Sequence, residues 1–275
     1  MDIAQQIRAT SRRFGTALVL AISVNASSVA AAEFRFSVEP TYEEASAREI
    51  YAPLMSYLSK ATGHTFVLVT APNYSSYWRD LLREGNSDFA LEEAHFADYH
   101  ITRANFTPLV RTSERSSYTL VASPDFEGTG LDGLLSGSIV SMPAPSLGYA
   151  SLMRFYPDPI QQPRVLSSAT SWRDAVQIVF GGEADAAIVP TWLKDTYQSL
   201  VTIRTSEEFA GPAVLAAPVV PADVRTQVRD ALLRLSETPE LEELLLELGI
   251  SGFVPAAASD YANESRALSG FYGYK

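Results

Sequence analysis

Alternation of short apolar segments with helical patterns between residues 33 and 91 constrains the fold more than any other feature of this chain. Residues 33–40, 65–71 and 87–91 are typical of strands, and residues 43–63 and 74–86 have apolar side chains at helical spacing. A strand–helix–strand–helix–strand order implies parallel strands joined by right-handed crossovers. The sequence therefore predicts an α/β fold.

The same logic recurs later in the chain and predicts a second lobe. The predicted strands are residues 118–124 and 139–145, the predicted helix is 146–156, and a helix–turn–strand unit covers 171–190. Residues 107–112 and 210–220 are predicted to connect the lobes, and helices at 221–237 and 239–249 to close the chain. We therefore expect two lobes, each with a mostly parallel sheet flanked by helices. Residues 33–117 and 211–275 form the first lobe, and residues 118–210 are inserted as the second.

The N-terminal 32 residues have the pattern of a cleavable signal peptide. Three arginines (Arg8, Arg12 and Arg13) precede an apolar run at residues 14–24 that is too short to span a bilayer. Small residues follow, so cleavage is expected between Ala32 and Glu33, which places the mature protein in the periplasm. A retained membrane anchor is the alternative, and the arginine pair leaves Sec or twin-arginine export open.

Cysteine content and charge exclude several classes of function. The chain has no cysteine, which excludes a lipoprotein anchor, a thiolate metal site and a cysteine nucleophile. Its net charge is −11, and it becomes −13 without the three arginines and one aspartate of the leader. Such an acidic protein is not expected to bind nucleic acid or an anionic membrane.

Aromatic and acidic side chains stand where the first three predicted strands end. Tyr42 follows the first strand, Tyr74 follows the second, and Glu92, Glu93 and His95 follow the third. Open α/β sheets bind ligands at the carboxyl ends of their strands, which suggests a ligand site. Each residue also has a structural explanation: the acids can favour the first turn of the next helix, and Tyr74 and His95 can be ordinary packing or surface residues.

Four ordered segments resemble the phosphonate- and phosphite-binding proteins of bacterial ABC transporters. They are "IYAPLMSYLSKATGH" (50–64), "APNYSSYWRDLLREGNSDFAL" (71–91), "GGEADAAIV" (181–189) and "LGISGFVPAAASDY" (248–261). The resemblance implies a type II periplasmic binding protein with two crossover strands and a ligand enclosed by hinge closure. It also implies a ligand role for Tyr74 and for Tyr118, which falls at the family's aromatic crossover position.

The segment that corresponds to the family's oxyanion cradle departs from the family pattern. The family has a Ser-Thr-Ser-Gly run at a helix start, whereas this chain has "PSLG" (145–148), keeping Ser146 and Gly148 as candidate ligand residues. Backbone N–H groups at a helix start can still bind an anion. Trp172 replaces a family histidine, and Trp192 lies near the position of a family acid. Indoles suit an apolar or flat ligand group, or a cation over the ring face, although both could instead fill lobe cores.

The predicted function is therefore a periplasmic solute-binding component of an ABC transporter, which binds a phosphonate-like oxyanion or a related small molecule. The predicted ligand residues are Tyr42, Tyr74, Glu93, His95, Tyr118, Ser146, Gly148 and Trp172. We expect an inner-membrane permease as partner, a monomer, and no cofactor, metal, catalytic residue or membrane anchor, since no metal, hydrolase or nucleotide motif is present. A sensing module that serves a sensor kinase or chemoreceptor is the alternative, and an enzyme on the same fold is a weaker one.

Overall fold

The computed structural model describes residues 31–83 and 87–274, so the predicted signal peptide lies outside the described residues. Within these ranges the strands are β1 (Glu33–Val38), β2 (Thr65–Val69), β3 (Phe89–Glu92), β4 (Thr107–Thr112), β5 (Tyr118–Ala122), β6 (Ser138–Val140), β7 (Arg164–Leu166), β8 (Ala186–Pro190), β9 (Val201–Thr205), β10 (Ala213–Ala216) and β11 (Phe253–Pro255). The α-helices are α1 (Glu44–Thr62), α2 (Tyr74–Leu81), α3 (Ala94–Ala104), α4 (Leu147–Phe155), α5 (Trp172–Phe180), α6 (Thr191–Thr196), α7 (Ala222–Leu232) and α8 (Glu242–Leu248). No helix in the described part of the chain is long and apolar enough to cross a membrane.

The first sheet has six strands in the order β11-β4-β10-β3-β1-β2. β1 lies between β2 and β3 and pairs with both in parallel, as the alternation of the sequence predicts. β10 returns antiparallel between β3 and β4. The carboxyl ends of β1 and β3 are therefore adjacent at one edge of the sheet.

The second sheet has five strands in the order β7-β6-β8-β5-β9. β6 pairs in parallel with β7 and β8, and β5 is antiparallel to β8 and β9. The chain leaves the first sheet after β4, enters the second at β5, and returns after β9 to β10; Ser116 and Phe209 form a bridge where the two connections pass. We call the part built on the six-stranded sheet the first lobe and the part built on the five-stranded sheet the second lobe. The two-sheet α/β architecture confirms the predicted fold class, while the predicted sequence boundaries of the lobes stay a prediction.

Side-chain caps fix where the helices of both lobes begin. The Asn73 side chain accepts a hydrogen bond from Ser76 N (2.9 Å), and Ser171 Oγ accepts one from Asp174 N (3.0 Å). Such caps stabilise a helix by about 1 kcal/mol. Because α2 and α5 begin at these caps, Tyr74 and Trp172 are placed at the first helical position of each.

Two apolar clusters form the interior. One packs the first sheet against α1, α7 and α8 and includes Phe36, Leu58 and Phe89. The other runs without interruption from Tyr74 and Phe96 of the first lobe into the second-lobe strands. The two lobes are thus packed against each other rather than separated by an open cleft.

Candidate ligand-binding site

A cavity of about 320 Å³ lies between the lobes and receives side chains from both. We call it the interlobe cavity. Its size is at the lower end of the range for small-molecule sites. Its lining includes Glu39, Thr41, Tyr42, Tyr51, Glu92 and Glu93 from the first lobe, Tyr118, Trp172, Thr191 and Trp192 from the second, and residues 248–250 at the end of α8. The cavity lies at the carboxyl ends of β1, β3 and β8, where α/β folds bind ligands.

The first-lobe wall is acidic. Glu39, 5% exposed, follows β1, and its Oε1 accepts a hydrogen bond from Glu93 N (2.5 Å). Glu93 Oε1 accepts a hydrogen bond from the Tyr118 hydroxyl across the lobes (2.7 Å). The Oε2 atoms of Glu39 and Glu93 have no hydrogen-bond partner among the described residues. Glu39, which is buried, and Glu93, which is half-buried, thus place two carboxyl groups side by side at the cavity with acceptor capacity left over.

Burial and proximity change the titration of these carboxyl groups. Burial, and next the charge of Glu93, raise the pKa of Glu39 well above its ordinary value. Burial raises the pKa of Glu93 to about 7, against the lowering effect of the Tyr118 hydrogen bond. The ionised pair is therefore costly without a positive partner, since two like charges are held together out of water.

Glu92 belongs to a separate network behind this wall. Its Oε1 accepts a hydrogen bond from the Tyr77 hydroxyl (2.5 Å), and its Oε2 lies 2.7 Å from His100 Nδ1. Both carboxylate oxygens are thus satisfied within the first lobe. Glu92 lines the cavity but offers less free acceptor capacity than Glu39 or Glu93.

The second-lobe wall is aromatic. The rings of Tyr118 and Trp172 pack at 5.3 Å between centroids and an interplanar angle of 57°. Trp192 lies nearby with the guanidinium of Arg173 over its ring, 5.5 Å from the centroid. Arg173 in turn makes two 3.2 Å hydrogen bonds to Glu247 of α8, an ion pair between the lobes. Aromatic side chains thus close the cavity opposite the carboxylates.

Four of the predicted ligand residues line the interlobe cavity: Tyr42, Glu93, Tyr118 and Trp172. Tyr42 lies at the first-lobe rim, where its hydroxyl donates a hydrogen bond to Glu247 O (3.3 Å). Their positions agree with the prediction that strand ends and the α5 start face one cleft. Ligand contact by each of them stays a prediction.

The structure places Tyr74 and His95 elsewhere. Tyr74, 1% exposed, packs its ring on Phe96 behind the acidic wall. His95 is fully buried, and its Nε2 donates a hydrogen bond to Pro145 O (2.9 Å), which joins α3 to the second lobe. Burial lowers the pKa of His95 to about 3, so the ring is neutral. His95 is therefore a neutral interlobe contact in this arrangement and does not line the cavity.

The predicted anion cradle is closed. Ser146 is fully buried, and its Oγ accepts a hydrogen bond from Tyr149 N (3.2 Å) and donates one to Met142 O (3.3 Å). A Cβ placed on Gly148 would lie 2.6 Å from Trp172 Cη2, so the indole covers the first turn of α4. Neither Ser146 nor Gly148 lines the cavity, because Trp172 occupies the space where an anion would approach.

Glu39, Tyr51 and Thr191 line the cavity but were not predicted from the sequence. Glu39 could have been found, since it directly follows β1 just as Glu93 follows β3. Tyr51 lies inside α1, and its helical spacing indicates only a core position. In the described part of the chain, no group of three or more His, Cys, Asp or Glu side chains is placed to hold a metal ion.

Two lobes, mixed sheets and an interlobe cavity define a type II periplasmic binding protein. Residues 36–261 match the model of the periplasmic substrate-binding protein of phosphonate ABC transporters, and the chain belongs to that family. The family is a transport family whose members bind a small molecule and serve a permease. This match supports transport, not the sensing alternative.

Solved structures show the same fold at low sequence identity. A binding-protein component of an ABC phosphonate transporter from Pseudomonas aeruginosa is 18% identical, with a TM-score of 0.69 over 84% of this chain and 83% of that one. PhnD1 from Prochlorococcus marinus, solved with methylphosphonate, is 11% identical, with a TM-score of 0.73 over 86% and 97%. A Xanthomonas citri protein solved with ATP is 14% identical, with a TM-score of 0.66 over 86% and 96%. The comparison with curated proteins gives no match.

Proposed function

We propose that this chain captures a small molecule in the interlobe cavity and delivers it to an inner-membrane ABC permease. Tyr42, Glu93, Tyr118 and Trp172 form the ligand wall, together with Glu39. The observation that carries the proposal is a cavity of about 320 Å³ with walls from both lobes. A ligand enclosed there contacts both lobes at once and so favours the closed arrangement.

The proposal includes export and the absence of catalysis. Cleavage before Glu33 releases the mature protein into the periplasm as a monomer. The cavity acts in binding, and hydrogen bonds at and near its wall join the two lobes. The Tyr118–Glu93 bond and the Arg173–Glu247 pair are two such bonds.

A ligand screen with small-angle scattering tests this function. The mature protein is screened by thermal shift against phosphonates, phosphite, phosphate, amines and amino acids. A ligand at 100 times its dissociation constant stabilises a protein by about 2.7 kcal/mol. A true ligand should also reduce the radius of gyration, because binding shifts the population of molecules from open to closed arrangements of the lobes.

Two matched tyrosine variants locate the site. Tyr118→Phe removes a hydroxyl that bridges the lobes at the cavity, whereas Tyr57→Phe removes one that donates to Ala231 O (2.8 Å) within the first lobe. Tyr118→Phe should weaken ligand binding about tenfold or more, since a hydrogen bond to a charged group contributes about 1.5–3 kcal/mol. Tyr57→Phe should bind as wild type. Equal affinities for both variants would place the site outside the interlobe cavity.

A further inference from the structure

The ionisable side chains around the interlobe cavity are almost all acidic. Among the described residues, five carboxyl groups line it, from Glu39, Glu92, Glu93, Glu114 and Asp195, against a single guanidinium, that of Arg115. Arg115 is exposed and paired with Glu208 at 3.1 Å, and the nearby Arg173 is paired with Glu247. An oxyanion would meet repulsion from every ionised carboxylate here, because like charges across a desolvated interface disfavour binding.

The family's means of holding an oxyanion is also blocked. Trp172 covers the start of α4. The Ser146 hydroxyl accepts a hydrogen bond from Tyr149 N of the same helix and donates one to Met142 O. The cradle that the family uses is therefore closed, and a phosphonate group would depend on hydroxyls and indoles of the lining, such as Thr41, Ser116 and Trp192, for hydrogen bonds.

Unused acceptors stand on the opposite wall. Glu39 is more than nine-tenths buried, lines the cavity, and has an Oε2 without a hydrogen-bond partner among the described residues, as has Glu93. A buried acceptor without a donor is costly, and more so when it is charged. The donor that suits two adjacent carboxylates is a cation with several N–H groups.

The cavity wall also suits the rest of such a ligand. Tyr42, Tyr118 and Trp172 give aromatic surface next to the carboxylates, and aromatic rings attract ammonium groups by their quadrupole. A divalent metal is a poorer match, because the described acids are not grouped with the geometry of a metal site. The two walls together favour an organic cation.

We propose that the cavity recognises its ligand through a protonated amine, held by Glu39 and Glu93, whose carbon frame packs against Tyr42, Tyr118 and Trp172. The inference rests on the proposed function, since it names the ligand class of the same site. In the empty cavity, the raised pKa values of Glu39 and Glu93 favour a proton on this carboxyl pair. The bound ammonium group takes the place of that proton. Tyr51, Tyr74, Glu92 and Tyr118 face this pair; burial raises the pKa of each of the three tyrosines, so their hydroxyls keep their protons when the ammonium binds.

Matched probes separate this inference from the proposed function. Butylammonium, butylphosphonate and 2-aminoethylphosphonate are titrated calorimetrically into the mature protein. We expect butylammonium to bind and butylphosphonate not to bind. Aminoethylphosphonate should bind only through its amine, so that its affinity does not exceed that of butylammonium.

Variants that each remove one carboxylate test whether Glu39 and Glu93 bind the ammonium group. Glu39→Gln and Glu93→Gln should each weaken butylammonium binding at least about thirtyfold, as expected for loss of one partner of a buried charge pair. Glu49→Gln removes an exposed carboxylate of α1 and should bind as wild type. Thermal unfolding shows whether each variant is folded. Wild-type affinity in both Glu39→Gln and Glu93→Gln would overturn the inference.

A proton count gives an independent measurement. Titrations at pH 6.5 in two buffers of different ionisation enthalpy should show proton release when butylammonium binds, and less of it in Glu93→Gln. If butylphosphonate binds and butylammonium does not, the ammonium inference is wrong and the proposed function stands. If none of the three probes binds, the ammonium inference is wrong, and the proposed function fails only if the ligand screen also finds no ligand.

Discussion

The contact between Gly148 and Trp172 gives a direct test of the closed anion cradle. Gly148 is the second residue of α4, where alanine would normally be favoured over glycine by about 0.5–1 kcal/mol. In this protein the added methyl group would lie 2.6 Å from Trp172 Cη2 and 3.1 Å from Tyr118 Cδ1. Gly148→Ala should therefore destabilise the fold, against the helix propensity.

The magnitude follows from the packing around the indole. Trp172 is 7% exposed, so it has little freedom to move away. Overpacking a buried site costs about 1–3 kcal/mol, whereas Trp172→Ala alone should cost about 3–5 kcal/mol as a large-to-small change. In the Trp172→Ala background the clash with the indole is gone, and Gly148→Ala should be neutral or stabilising. The coupling between the two substitutions should thus be about 2 kcal/mol or more.

Urea unfolding of the two single variants and the double variant measures this coupling. Trp192→Ala is the control background, because Trp192 does not contact Gly148 and should leave the cost of Gly148→Ala unchanged. If Gly148→Ala has the same cost with and without Trp172, the indole does not cover the α4 start, and the argument for a closed cradle fails.

Three further predictions concern export, closure and acid stability. Mass spectrometry of the periplasmic protein should give an N-terminus at Glu33; an intact leader on a membrane-bound product would contradict the proposed cleavage and release. Glu247→Gln removes a partly exposed ion pair with Arg173 that contributes up to about 1 kcal/mol. The radius of gyration of the ligand-free protein should therefore rise, and ligand affinity should fall up to about fivefold. An unchanged scattering curve would show that the ion pair does not hold the lobes closed. Because the pKa of His95 is lowered to about 3, its contribution to stability is present above pH 6.5 and is lost as the pH falls towards 3; Glu39 and Glu93, with raised pKa values, act in the opposite direction. Between pH 7 and pH 4 the wild type should lose about 3 kcal/mol more than His95→Gln in urea unfolding, and equal losses would show that His95 titrates normally.

The alternation of strands and helices determined the fold class without any tertiary information. Continuous apolar segments such as residues 65–71 favour strands, and Ser, Asn and Gly at the ends of the helical patterns mark their limits. The strand in that segment, β2, lies at the edge of its sheet and is only partly buried. Three strands were missed: β7, β9 and β11. β7 and β11 have three residues each, and β9 is exposed for most of its length, so none carries an apolar pattern of its own.

The tertiary structure alone decided which strand-end residues face the cavity. Tyr42 and Glu93 line it as the strand-end rule predicts, and Tyr118, at the start of β5, lines it as the family resemblance implies, but Tyr74 and His95 point into the packed interior. The reason is that the sequence fixes a residue's position along its own element, whereas its surroundings depend on the neighbouring lobe. Trp172 shows this most clearly: its indole covers Gly148, a residue 24 positions earlier in the chain, and so turns an expected anion cradle into an aromatic wall.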